Sequence, residues 1–207
     1  MANEKGSSTP CHSEIILICI NQNAVYIFVA RCEVAFMIES IMPYSAIAVA
    51  NNFIELANRA GDKTVTPMKL QKLVYFAHGW HLALTEAPLI KEHVEAWKFG
   101  PVVPSVYHEF KDCGNDPISK LGTVFDLESG TFDFTTPRVD ENSQAVPLLK
   151  RIWETYGKYS GIQLSNATHL PGTPWFVIWE EQGGKNRLGT DIPDDLIKSF
   201  FKAQIKK

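Results

Sequence analysis

The sequence predicts an α+β fold: a mostly helical, single compact domain with a small two- or three-stranded antiparallel sheet. Two kinds of pattern carry that expectation. Apolar residues recur at helical spacing over several long stretches, and short alternating runs occur only in the middle of the chain. Proline and glycine punctuate the boundaries.

The elements follow in order. Ala46, Val49, Ala50, Phe53, Ile54, Leu56 and Ala57 make a first helix that Gly61 ends. Thr66 caps the next helix, with Pro67 in its first turn where a missing N–H costs nothing. Leu70, Leu73, Val74, Ala77, His81 and Leu84 form its apolar stripe, and Pro88 bars continuation. Glu92 to Phe99 reads as a strand broken by Gly100-Pro101, and Pro104 opens another helix ending near Gly114. Thr123–Leu127 and Thr131–Phe134 read as a hairpin around Glu128-Ser129-Gly130. Helices follow over Val146–Tyr159, Ile162–Thr168 and Pro174–Glu180. Pro193 begins a terminal helix with Leu196, Ile197 and Phe200 facing inward.

Residues 1–41 do not match the rest. Ile15–Ala30 holds two apolar blocks around Asn21-Gln22-Asn23. Three central amides do not suit a membrane span, which needs about 20 mostly apolar residues. A hairpin with a polar turn is an alternative. Met42 looks like a natural start, so 1–41 is taken as an N-terminal extension of doubtful structure, an upstream mis-start, and 42–207 as the domain. The intact mass of protein made from the native gene decides this.

Composition narrows the function. The chain has 20 Lys and Arg against 23 Asp and Glu, a net charge of -3. This gives no electrostatic case for nucleic acid. The cysteines, Cys11, Cys19, Cys32 and Cys113, contain no CxxC, so neither a zinc knuckle nor a disulfide framework is indicated. Reduced thiols and a cytoplasmic location are the default.

No catalytic constellation emerges. His78 and His81 share a helix face, but without an HExxH arrangement they read as fold residues rather than metal ligands. Cys113 and His108 lack a third member to orient the base. Glu92 and Glu95 would point to opposite faces of a strand. Phosphate-loop, dinucleotide and serine-hydrolase motifs are absent from the sequence. The expectation is no enzyme, no cofactor, no metal and no membrane. What stands out is aromatic: Tyr75, Trp80, Trp97, Phe99, Tyr107, Trp153, Trp175 and Trp179. Such residues fill cores, and they also anchor partner surfaces.

Lys69–Ala77 (KLQKLVYFA), Trp80, Pro88-Leu89, Ala96–Val102 (AWKFGPV), Val106-Tyr107 and Thr168–Trp175 (THLPGTPW) together resemble the Panacea-domain, SocA-like antitoxin family, whose members are also described as phage-associated proteins. The resemblance covers about Pro43 to Phe201. It implies an antitoxin of a toxin–antitoxin or phage-defence pair that binds a cognate toxin encoded by an adjacent gene, with delivery to a cellular protease as one route. The contact surface is expected at Lys72, Tyr75, Trp80, Trp97, Gly100, Pro101, Val102 and Tyr107. Thr168, His169, Pro174 and Trp175 are expected to serve the fold. The rival readings are a DNA-binding regulator of its own operon and a metal-dependent hydrolase using His78, His81 or His169.

Overall fold

Helix boundaries follow local chemistry. In the computed structural model, which describes residues 17–21, 24–28, 42–126 and 133–206, helix α1 spans Ala46–Ala60. The Ser45 side chain accepts the Ala48 N–H at its start, and left-handed Gly61 ends it. The Glu92 carboxylate accepts the Ala46 N–H at 2.8 Å, placing an anion at the positive end of α1. Helix α2 spans Pro67–Thr85 and is capped by Thr66. It closes on Glu86 at φ 62°, two residues before Pro88.

The chain divides into two compact units, Met42–Lys202 and Met1–Ile41 with Ala203–Lys207. In the second, strands β1 (Leu17–Asn21) and β2 (Ala24–Phe28) pair antiparallel, with Asn21 opposite Ala24. This is the hairpin alternative; Gln22 and Asn23 lie outside the described residues.

In the first unit α2 is the hub. It packs against α1, against α4 (Ala145–Tyr156) and against α5 (Gly161–Thr168). Every residue from Lys69 to Ala83 is buried. The expected single stripe is therefore too narrow, and Leu84, placed on it, is exposed. Neighbours on several sides cover the polar face as well. A turn C-terminal of α2, strand β3 (Glu95–Trp97) pairs antiparallel with β4 (Gly100–Val102) and with β7 (Thr190–Asp191), giving the order β4-β3-β7. Gly100-Pro101 thus opens a strand rather than breaking one, and Lys98-Phe99 make the turn. Gly100 sits at φ 105°, a conformation glycine adopts without a Cβ penalty.

Helix α3 (Pro104–Phe110) follows directly. Strands β5 (Val124–Asp126) and β6 (Asp133–Thr135) pair as expected, with Phe125 opposite Phe134. The intervening Glu128-Ser129-Gly130 lies outside the described residues. Helix α6 (Pro174–Phe176) runs into a wider π turn over Val177–Glu181. Helix α7 (Asp194–Gln204) buries Ile197 and Phe201, with Leu196 and Phe200 only half-buried. The C-terminal strand β8 (Ile205–Lys206) pairs with β2.

An aromatic cluster joins α2, α4 and α7. Phe201 packs edge-on against Trp80 at 5.1 Å and Tyr75 at 5.8 Å between ring centroids. Phe76 stacks on Tyr156 at 4.4 Å, and the Trp80 indole N–H donates to the Tyr156 hydroxyl at 3.1 Å.

Candidate functional site

Three separated sequence motifs converge on the β3–β4 hairpin. Gln71 and Lys72 come from α2, the hairpin from Ala96–Val102, and Ser165 to Trp175 from α5 and the segment leading into α6. Their side chains bind the hairpin's backbone. The Trp175 indole N–H donates to the Trp97 carbonyl at 2.8 Å. The Ser165 hydroxyl donates to the Phe99 carbonyl at 2.9 Å. The Lys72 amine donates to the Pro101 carbonyl at 2.9 Å. Gln71 grips Val103 twice, its amide N–H donating to the carbonyl at 3.1 Å and its oxygen accepting the N–H at 2.9 Å. His169 Nδ1–H donates to the Ser165 carbonyl at 2.6 Å, with its Nε2 3.5 Å from the Lys98 carbonyl.

The close approach needs Gly100. A Cβ there would lie 2.8 Å from both the Lys72 Cε and the Thr168 hydroxyl oxygen. Thr168 in turn donates to the Ser165 carbonyl, and Thr173 donates to the Thr168 carbonyl while capping α6. The chemistry is that of satisfied buried polar groups: each side chain meets a carbonyl that would otherwise lose its water partner on burial.

Burial divides the residues expected at the contact surface. Lys72, Tyr75, Trp80, Gly100, Pro101 and Val102 are buried; Trp97 is half-buried and Tyr107 exposed. The first six are therefore unavailable to a docking protein in this conformation. The Lys72 side chain is 1% exposed, and burial pushes its pKa down to about 7. Tyr75 and Trp80 belong to the aromatic core around Phe201. Of the closing motif, Thr168, Pro174 and Trp175 are buried and His169 is half-buried against the Trp175 ring at 3.8 Å.

What the clamp leaves outside is compact. Phe99 at the turn is 60% exposed and Tyr107 38%. The Trp97 ring meets Tyr107 edge-on at 4.8 Å and its indole N–H donates to Glu95 at 2.7 Å. Lys98 Nζ lies 5.5 Å from the Phe99 ring centroid. The helix histidines serve the fold: His78 Nε2–H donates to Asp194 at 3.0 Å, and His81 Nδ1–H to the Ala87 carbonyl at 2.8 Å. Among the described residues no three His, Cys, Asp or Glu side chains form a metal-sized group, and no helix is long and apolar enough to cross a membrane.

Residues 70–176 match the family described as Antitoxin SocA-like, Panacea domain. The chain belongs to this Panacea-domain antitoxin family. It is similar to Antitoxin SocA of Caulobacter vibrioides (strain NA1000 / CB15N), at 38% identity over 159 residues. That alignment covers 77% of this chain and 83% of the relative. No solved structure matches the chain. The matched Panacea region contains most of the clamp: Gln71, Lys72, Ser165, His169 and Trp175 all fall inside it, as does the whole β3–β4 hairpin. The sequence motifs contain Lys72, His169 and Trp175, and the structure adds the bonds from Lys72 and Trp175 to the hairpin backbone. Gln71 and Ser165 do not stand out in the sequence as site residues, because a side chain bonding to a distant carbonyl leaves no local pattern. In the sequence, Phe99 is one of many aromatics. Its place in a two-residue turn, where small or polar residues are usual, is the signal that sets it apart.

Proposed function

We propose that this chain is a non-enzymatic, cytoplasmic antitoxin that neutralises a cognate toxin, encoded by an adjacent gene, through direct protein–protein binding. The observation that carries the reading is the 38% identity to Antitoxin SocA over most of both proteins. The clamped hairpin is consistent with it. A backbone already held by five side-chain bonds from Gln71, Lys72, Ser165 and Trp175 together with the β3–β4 ladder loses little further freedom on docking. The contact surface is then the accessible part of the corner, half-buried Trp97 and exposed Tyr107, with the buried residues as its support.

Co-expression tests this. The neighbouring gene product alone should arrest growth, and this chain should restore it and co-elute with the toxin. Changing Tyr107 to Glu places a charge on the exposed aromatic edge and should weaken the complex at least about 10-fold, as for a central interface residue. Its thermal unfolding should stay within a few degrees of wild type, since Tyr107 lies outside the core. A growth arrest that this chain fails to relieve contradicts the reading. Toxin abundance separates two routes: occlusion leaves its half-life unchanged, and delivery to a cellular protease shortens it.

A further inference from the structure

A phenylalanine more than half exposed on a tight turn is costly in water and unusual there. Phe99 occupies such a place, and the backbone around it is fixed from behind. Ser165 holds its own carbonyl, Trp175 that of Trp97 and Lys72 that of Pro101. The turn therefore presents its side chains to solvent, while its carbonyls are turned inward to the domain. Pre-ordered aromatic side chains of this kind dominate binding energy where they fill a partner's pocket.

Lys98 adds a sign to the surface. It is exposed, its amine lies near the Phe99 ring, and no carboxylate among the described residues pairs with it. The nearest acidic side chain along the strand, Glu95, is bound to the Trp97 indole N–H. A cation with no carboxylate partner among the described residues, beside an exposed ring, is complementary to an apolar pocket with an acidic rim.

We infer that Phe99 is the anchor this chain inserts into an apolar pocket of the toxin, with Lys98 meeting carboxylates on that pocket's rim. The inference rests on the antitoxin reading above and names the chemistry of its partner.

The experiment is calorimetric titration of the purified neighbouring toxin, carried as an inactive variant, with full-length wild type, Phe99→Ala, Lys98→Glu and Phe134→Ser. Phe134 is 67% exposed on the separate β5–β6 hairpin and serves as the control. Phe99→Ala should weaken binding about 30-fold or more, in the range of an aromatic hot spot. Lys98→Glu should slow association and reverse its salt dependence. Phe134→Ser should match wild type. All variants should unfold at the wild-type temperature, because none of the three side chains is in the core. Wild-type affinity in Phe99→Ala overturns the anchor and leaves the antitoxin reading standing. Loss in Phe134→Ser with none in Phe99→Ala assigns the contact to β5–β6 and also overturns it. No binding by wild type overturns both.

Discussion

Replacing Gly79 with alanine is expected to cost the fold about 3 kcal/mol or more, the upper end of the range for overpacked cores. Gly79 lies in the middle of α2, where alanine would ordinarily gain about 1 kcal/mol in helix propensity. Here a Cβ would lie 2.2 Å from Phe201 Cε2 and 2.5 Å from Cδ2, well inside contact distance. The ring cannot give way easily. It is 2% exposed and packed edge-on against Tyr75, Phe76 and Trp80. Relief would come from moving α7 off α2, which also strains the His78–Asp194 bond across the same contact. The urea midpoint should fall sharply in Gly79→Ala. Adding Phe201→Leu should recover part of the loss, because contacting sites are not additive. An unchanged midpoint would mean that Gly79 and Phe201 are not packed together.

The second large effect is a pH dependence carried by Lys72. Burial lowers its pKa from the ordinary lysine value near 10.5 to about 7. Between about pH 7 and 10.5 the unfolded chain therefore binds more protons at this site than the folded one. Where the unfolded state binds more protons, stability rises with pH. The lysine's penalty is thus full below pH 7 and fades as pH climbs to about 10.5. Lys72→Met keeps most of the stem and removes the titrating group. The gain at pH 7 is on the order of 4 kcal/mol, less about 1 kcal/mol for the bond lost to the Pro101 carbonyl, leaving on the order of 3 kcal/mol. Urea melts from pH 6.5 to 9 check it: wild-type stability should climb toward that of Lys72→Met. Two parallel curves would show that the folded amine titrates as an exposed lysine does.

The parts of the fold that local chemistry decides are readable from the sequence. Thr66-Pro67 and Gly61 mark helix ends because capping and left-handed backbone depend on a few adjacent residues. The parts that distant neighbours decide are not. Lys69, Gln71 and Lys72 look like the wet side of α2, and they are buried because other elements close over that side. Phe200 and Phe201 are adjacent and alike in sequence, and only the socket over Gly79 selects Phe201. Gly100-Pro101 reads as a breaker, yet the edge strand β4 tolerates a proline that donates no ladder bond. The candidate site divides the same way. The motifs were visible, but Lys72 reaches Pro101 across 29 positions and Trp175 reaches Trp97 across 78, so their role as a clamp appears only in three dimensions.

On the proposed reading, the clamp presents the Lys98-Phe99 turn to the toxin. Site-specific photocrosslinking tests it most directly. Benzoylphenylalanine at position 99 should crosslink to the co-expressed toxin, and the same probe at position 134 or at Ile162, an exposed apolar site on α5, should not. Crosslinks from 134 or 162 with none from 99 would contradict the account.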